Sequence, residues 1–581
     1  MTTSQRNIAG IATILALFLA ACGPSGQQAE VESAQKFEKQ VEQVAGFKVP
    51  GGIPDIEGFP LFVPPDEKEK DPTKVKRGSS HRYLSLDPPH LDIAATSSCT
   101  VYNVNDMVYS KLVRGKVGPM ADPFRIELEG DLAKSWEVSK DGLAYTFKLR
   151  EGVKWQNLPP LNGRELTSED VRFAFEDYRK SIQAATFDNV DKIEAPDKYT
   201  VKITLKETNV DFVASIAAMA FIHPKEIKDQ DGNWRQKAVG TGPFILESWT
   251  PKQGVKYRAN PDFWEKDSAG NKLPYLDRAE MFVIPDSAAA AAAYRSYQLD
   301  VTPGFGKIID GQQIKKSDPD TIFMSNGSGL IRGNVNGLLP RLDRPPLNDV
   351  KVRRAISMGI DRQTMTDTLY QGSWAMSLGM SWIYMFDNAP SLKDFGPYYQ
   401  YNPTEAKKLL AEAGFPNGLT LEQIDWYTRD AAETTIGMLK EIGVTVKRRE
   451  VDNATQVTLI TKGEYGDMTA AAWYIPGYDV DTELYAFLHS KGAKNYGFYK
   501  NPEMDKLLEA QRKEQDPTKR KEILKKIWDL QLSDMPLIWY PTGRGINGWR
   551  PYVKNFRPHT YMGTLSCYTT GNNNRIIWHD K

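Results

Sequence analysis

The sequence predicts an α/β protein built as lobes rather than around one core. Three observations carry that expectation. Segments of strict alternation, such as "AYTFKLREGVKW", read as half-buried strands. Capped amphipathic helices, such as "TSEDVRFAFEDYRK", are interspersed with them. These mixed elements run on for roughly 500 residues, more than one hydrophobic core organises, so the chain is expected to divide.

The N-terminus comes first. Arg6 opens a short positive region, and Ile8 to Ala21 is apolar apart from Gly10 and Thr13. That run is too short for a spanning helix, which needs roughly 20 residues. It fits the apolar core of a secretory signal. It ends in Leu19-Ala20-Ala21-Cys22, which resembles a bacterial lipobox. There the Cys22 thiol takes a diacylglycerol, and residues 1–21 are removed as a signal peptide. Residues 22–79 are rich in Gln, Glu, Lys and Pro and read as a tether or wrapping segment. No later segment is apolar long enough to span a membrane, so the lipid is the expected membrane contact.

The globular body is expected to begin near Ser80. Tyr145, Phe147 and Leu149 alternate with Thr146, Lys148 and Arg150 in one strand. Thr167 or Ser168 caps a helix with Val171, Phe175 and Tyr178 on one face. "TVKITLKE" is another alternating strand. "SAAAAAAYRSYQLD" reads as a helix capped at Asp286 or Ser287, its alanines a close packing face. "TEAKKLLAEAGFPNG" is a helix stopped by Gly414 and Pro416. "PTKRKEILKKIWDLQLSDMP" is a helix ended before Pro536. The chain holds no internal repeat.

Charge and chemistry then narrow the function. Formal charge is zero, with 74 basic and 74 acidic residues, and no basic stripe suits nucleic acid. With 13 Trp and 26 Tyr the chain is rich in rings; most must be core, but such rings also line sites for organic ligands. The cysteines are Cys22, Cys99 and Cys567. In an oxidising compartment Cys99 and Cys567 could pair, although sequence does not set their distance. The six histidines make no HExxH, and there is no GxSxG, phosphate loop or CxxC. A triad is defined by geometry rather than sequence order, yet every positive signal is structural. The expectation is a non-enzyme without cofactor. Scarce His and Cys argue against direct metal ligation.

Four stretches together resemble the family 5 extracellular solute-binding proteins, the peptide/nickel receptors of ABC importers. They are "LAKSWEVSKDGLAYTFKLREGVKW" with "LTSEDVRFAFE", "VGTGPFILESWTPKQGVKYRANPDFW", "PPLNDVKVRRAISMGIDRQTM" and "YNPTEAKKLLAEAGFPNG". They occur in the family's order, and the resemblance spans residues 80–560. It implies a periplasmic-binding-protein-like fold of type II: two lobes, an extra subdomain, and a ligand cleft between the lobes. Lobe I is expected at 80–107, 230–330 and 538–581, its subdomain at 108–229, and lobe II at 331–537. The implied partners are a small polar solute, a permease and its ATPases, with the protein itself a monomer. The implied location is the periplasm or the outer face of the cytoplasmic membrane. A ligand-presenting sensor and a periplasmic hydrolase are the rival readings.

The resemblance also implies where ligand sits. It points to Cys99 and Thr100 after the Leu91-Asp92-Ile93 element, and to Phe305 after Gln298-Leu299-Asp300. It points to Arg332 and Asn334 on the strand entering lobe II, and to Trp473, Tyr474 and Asp479 in "AAWYIPGYDVD". Peptide receptors of this kind carry an Asp three residues after the Trp, paired with the peptide's α-ammonium. Here that position is Pro476. A buried ammonium without a carboxylate is costly. Either Asp479 or Asp481 takes the role, or the ligand lacks that ammonium. Sugars and opine-like conjugates are the alternatives to peptides.

Overall fold

The computed structural model describes residues 53–581 apart from 54–55, 57, 96–97, 232–234, 305–307, 327–333, 373, 377–379, 426–428, 475–478 and 559–572. For some others, Asn334, Trp473 and Tyr474 among them, it describes the backbone alone. Cys22 and the signal peptide lie outside the described residues, as do Arg332, Phe305 and Cys567. Among the described residues no helix is long and apolar enough to cross a membrane.

Three sheets organise the body. The first runs Ser80–Leu84, Arg278–Phe282, Gly254–Ala259, Phe244–Thr250 in spatial order. Only its first pair is parallel. Between residues 84 and 244 the chain builds the second, an antiparallel sheet of Ala133–Val138, Ala144–Leu149, Thr200–Leu205 and Val190–Asp197. In Ala144–Leu149 the expected alternation is realised, with Tyr145, Phe147 and Leu149 buried. The helix Ser168–Tyr178 starts at Thr167 with a capping box to Asp170, and buries Val171, Phe175 and Tyr178. "VGTGPF" needs its glycines because the chain passes close to its own backbone. A Cβ on Gly240 would stand 2.0 Å from the Val108 carbonyl oxygen, and one on Gly242 2.6 Å from it.

The third sheet has five strands in the order Val444–Glu450, Leu419–Asp425, Met468–Tyr474, Asn334–Pro340, Ile538–Trp539. Its first three strands are parallel and the last two antiparallel to their neighbours. The helices Val350–Met358 and Pro403–Glu412 pack beside it through Val352, Ile356, Ala406 and Leu410. Asn402 caps the latter helix on the Glu405 N–H, and Gly414 turns the chain after it at φ +93°. Met535, at φ 49°, ends the helix Pro517–Asp534. The Asp286-capped helix Ser287–Arg295 buries Ala290, Ala293 and Tyr294, so only part of the alanine run is a packing face.

The chain passes twice between the strand pair Ile322–Asn326/Gly545–Trp549 and the five-stranded sheet, and the two passages lie side by side. It passes from Ile322–Asn326 to Asn334–Pro340, then returns from Ile538–Trp539 to Gly545–Trp549. The outgoing and returning strands pair on both sides: Asn326 with Gly545, Gly337 with Trp539. Ile538–Trp539 thereby forms the last strand of the five-stranded sheet, beside Asn334–Pro340.

The segment 53–79, expected within the tether, is built into the body. Phe59 is 1% exposed and packs with Tyr294, Phe323 and Ile546. Asp66 caps the helix Glu67–Lys70 and bonds Lys554 at 2.7 Å, while Glu69 takes the Asn555 N–H at 2.7 Å and pairs with Arg557 at 2.5 Å. This is the wrapping alternative, and its cause is plain: two aromatic or aliphatic side chains reach the lobe I core and the acids meet C-terminal cations.

Candidate ligand cleft

The cleft is built at one end of the five-stranded sheet. Open α/β sheets bind ligands beyond the carboxyl ends of their parallel strands. Here those ends are Asp425, Glu450 and Tyr474. The register makes the rim uneven. Ile424 pairs with Thr469, so Met468–Tyr474 runs on well past the end of Leu419–Asp425. Asn334–Pro340 accompanies it, with Asn334 opposite Tyr474 and Val335 opposite Trp473. The overhang is about 13 Å at the usual rise of a strand. Asn334, Trp473 and Tyr474, all expected at the ligand, thus share this rim, and Asn334 also stands at the crossing between lobes.

The carboxylates near this rim are occupied by the protein itself. Asp425 is fully buried and accepts from Arg448 Nε and Nη2, both at 2.7 Å, and from Gln423 Nε2 at 3.2 Å. Asp481 accepts from Gln511 Nε2 at 2.7 Å and pairs with Arg512 at 2.8 Å. Burial pushes the Asp481 carboxyl up, against the pull of Arg512. Asp479, expected to contact ligand, is 1% exposed and accepts from Ser215 Oγ at 3.0 Å. Ser215 belongs to the helix Phe212–Met219, on the subdomain side. Asp479 thus takes part in a contact between two protein segments.

Ser98, Cys99 and Thr100 begin the helix Cys99–Asp106. Cys99 is disulfide-bonded; Cys22 and Cys567, the other two cysteines, both lie outside the described residues. Thr100 Oγ1 meets Ser98 Oγ at 2.8 Å. A bonded Cys99 presents no thiol to a ligand.

Among the described residues one group has metal-type ligands, the buried trio His81, Asp300 and His579. His81 Nδ1 meets His579 Nε2 at 3.2 Å. Asp300, however, already accepts the Arg82 N–H at 2.7 Å, Arg82 Nε at 3.3 Å, Arg82 Nη2 at 3.1 Å and the Tyr552 hydroxyl at 2.8 Å. Four donors fill a carboxylate's lone pairs. With Arg82 and Lys581 nearby, the trio reads as a buried hydrogen-bond hub.

Sequence reasoning did not find Asp211, Ser215, Asp425, Arg448, Arg512 or Arg520. Arg512 and Arg520 lie on amphipathic helices, where a cation usually marks a solvated face. Their partners include residues some 300 positions away, a distance at which no local spacing gives a signal.

Comparison with known proteins bears on this arrangement. Residues 127–495 match the model of the bacterial extracellular solute-binding proteins, family 5 Middle. Heme-binding protein A of Haemophilus influenzae is 26% identical over 478 residues, 75% of this chain and 82% of its own length. The probable D,D-dipeptide-binding periplasmic protein DdpA of Escherichia coli is 29% identical over 464 residues, 75% of this chain and 83% of its own. The solved structure of the periplasmic binding protein DppA from Helicobacter pylori, in complex with the peptide STSA, superposes with a TM-score of 0.73 at 24% identity. It covers 87% of this chain and 99% of that one.

Proposed function

Because this chain belongs to the bacterial extracellular solute-binding proteins of family 5, we propose that it is the lipid-anchored solute receptor of an ABC importer. In this reading it captures a polar organic solute outside the cytoplasm, a peptide first among them, by closing two lobes, and hands it to a membrane permease driven by its ATPases. The observation that carries the reading is the pair of adjacent crossings, Asn326 to Asn334 and Trp539 to Gly545, beside the overhanging rim. Two neighbouring strands form a hinge: they permit rotation about one line and resist other motions. A solute with higher affinity for the shut form drives closure, and no covalent chemistry is required.

The finer assignments follow from the same reading. Lobe I comprises residues 80–107, 230–326 and 545–581 with the subdomain 108–229, and lobe II comprises 334–539. Trp473, Tyr474, Asn334 and Arg332 contact ligand from lobe II, and Phe305 and Thr100 from lobe I. Cys22 bears the lipid, which leaves Cys567 as the partner of Cys99. Non-reducing peptide mapping that joins Cys99 to Cys22 would overturn both cysteine assignments.

The test of function is a thermal-shift screen of the mature chain lacking Cys22, with di- to hexapeptides, oligosaccharides, opines and metal chelates. A solute at about 1,000 times its dissociation constant stabilises the bound form by about 4 kcal/mol. The expected result is a shift with peptides, alike for free-amino and N-acetylated forms, since Asp479 and Asp481 are engaged elsewhere. A shift that requires the free amine assigns one of those acids to the ligand. No shift with any solute contradicts the receptor reading, and hydrolysis of a trapped peptide favours an enzyme.

A further inference from the structure

Two blocks of the body meet along a polar seam. One carries the antiparallel sheet of Ala133–Val138, Ala144–Leu149, Thr200–Leu205 and Val190–Asp197, with the helix Phe212–Met219. The other carries the helices Val480–Leu488, Pro502–Lys513 and Pro517–Asp534, which pack on one another. Among the described residues no strand or helix of the first block packs extensively against the second. Hydrogen bonds and ion pairs join them instead.

Asp211 is the centre of the seam. Its carboxylate accepts from Arg520, Nη1 to Oδ1 at 2.9 Å and Nη2 to Oδ2, and from the Asp481 N–H at 3.2 Å. Gln511 Oε1 accepts from Arg520 Nη2 at 2.8 Å and orients the guanidinium. Ser215 Oγ donates to Asp479 at 3.0 Å, and the Val210 N–H donates to the Arg512 carbonyl at 3.1 Å. Lys513 meets Glu207 at 2.8 Å at the exposed edge. Arg512 is fixed in turn by Asp481 and by the Tyr485 ring, whose centroid lies 3.7 Å from it.

The chemistry of this seam differs from that of a permanent interface. Asp211 and Arg520 are 13% and 15% exposed, so water is largely excluded while they are paired. On separation each regains its hydration. For such pairs the Coulomb gain and the desolvation cost nearly cancel, whereas losing one partner leaves an uncompensated charge. A seam of paired charges therefore costs little net to separate, and burying one charge without its partner costs much more.

We propose that the Asp211–Arg520 pair, flanked by Ser215–Asp479, is a closure latch that forms as the lobes shut and sets how tightly any solute is held without touching it. The proposal rests on the solute-binding reading for its purpose, and it gives a role to buried acids that are bonded to other protein segments. Affinity then has two independent parts, one from pocket contacts and one from the latch.

A cross-linking reporter tests it without a ligand. Glu207→Cys with Lys513→Cys, in the mature chain with its native disulfide intact, places two thiols across the exposed edge of the seam. Their oxidation rate reads the closed population even when that population is small. Arg520→Gln and Asp211→Asn should each slow cross-linking about tenfold, the size of coupling found between directly bonded charges. The charge exchange Asp211→Arg with Arg520→Asp should recover most of the rate. High salt should slow the wild-type reporter. Cross-linking at one rate in all these variants makes the seam a fixed contact and overturns the latch. So does a fall in melting temperature with the rate unchanged. If a solute from the screen stabilises Arg520→Gln as strongly as wild type, the receptor reading stands and the latch fails. If no solute binds while the rates change as stated, the latch stands alone.

Discussion

His81 and His579 lie ring nitrogen to ring nitrogen at 3.2 Å in the first lobe, beside Asp300. Burial pushes His81 down to about 4 and His579 down to about 3; Asp300 pulls both the other way, and Arg82 and Lys581 reinforce the fall. Both rings are therefore neutral in the folded protein at neutral pH. In the unfolded chain they protonate near the ordinary 6.5. Between about 6.5 and 4 the unfolded state binds more protons, so stability is complete above that window and declines as pH falls through it. For His81 alone the difference is worth about 3 kcal/mol. Melting temperature from pH 7.5 to 4 should fall with this slope, and a His81→Gln, His579→Asn variant should flatten it. An equal slope in the variant contradicts the assignment. This hub shows why single residues were poorly legible: His81, Asp300 and His579 are hundreds of positions apart, and nothing local marks them as neighbours. Asp479 shows the same limit. Its motif located the segment, but only the fold supplies Ser215 as its partner.

At the scale of elements much more was readable, because strands and helices are specified locally. Tyr145, Phe147 and Leu149 bury as alternation requires, and Thr167 with Asp170 makes the capping box that "TSED" spells. Pairing between distant strands was not readable. Ile538–Trp539 is too short to show alternation, so its place beside Asn334–Pro340 could not be foreseen. The motif "RRAISMGIDR" acquires a physical reason in the same region. Arg362, 1% exposed, donates to the carbonyls of Trp539 at 2.9 Å, Ser357 at 2.9 Å and Tyr399 at 3.2 Å. Burial lowers it to about 10, so it remains charged and ties the returning hinge strand to the helices beneath. Lysine offers a point charge where a planar fork is needed. Arg362→Lys should cost about 2–4 kcal/mol in chemical denaturation, through lost and unsatisfied hydrogen bonds. A cost within about 0.5 kcal/mol, the range of ordinary surface changes, would show that the fork is dispensable.

For the whole molecule, composition and length predicted division into lobes, and four motif stretches predicted the family. In the proposed reading the two side-by-side passages, Asn326 to Asn334 and Trp539 to Gly545, are the line about which the lobes turn. Asn334 pairs with Tyr474 at the rim beside those passages, and Asp211 pairs with Arg520 across the seam. Ligand identity depends on side chains that converge from separate segments, which is why the motifs narrowed the class and not the compound. The central claim is that solute shuts the lobes. Small-angle X-ray scattering of the mature chain, with and without the solute of largest thermal shift, tests it most directly. The account predicts a smaller radius of gyration on saturation, the open-form scattering of the ligand-free sample being lost. An unchanged radius at saturating solute would show binding without closure and contradict the account.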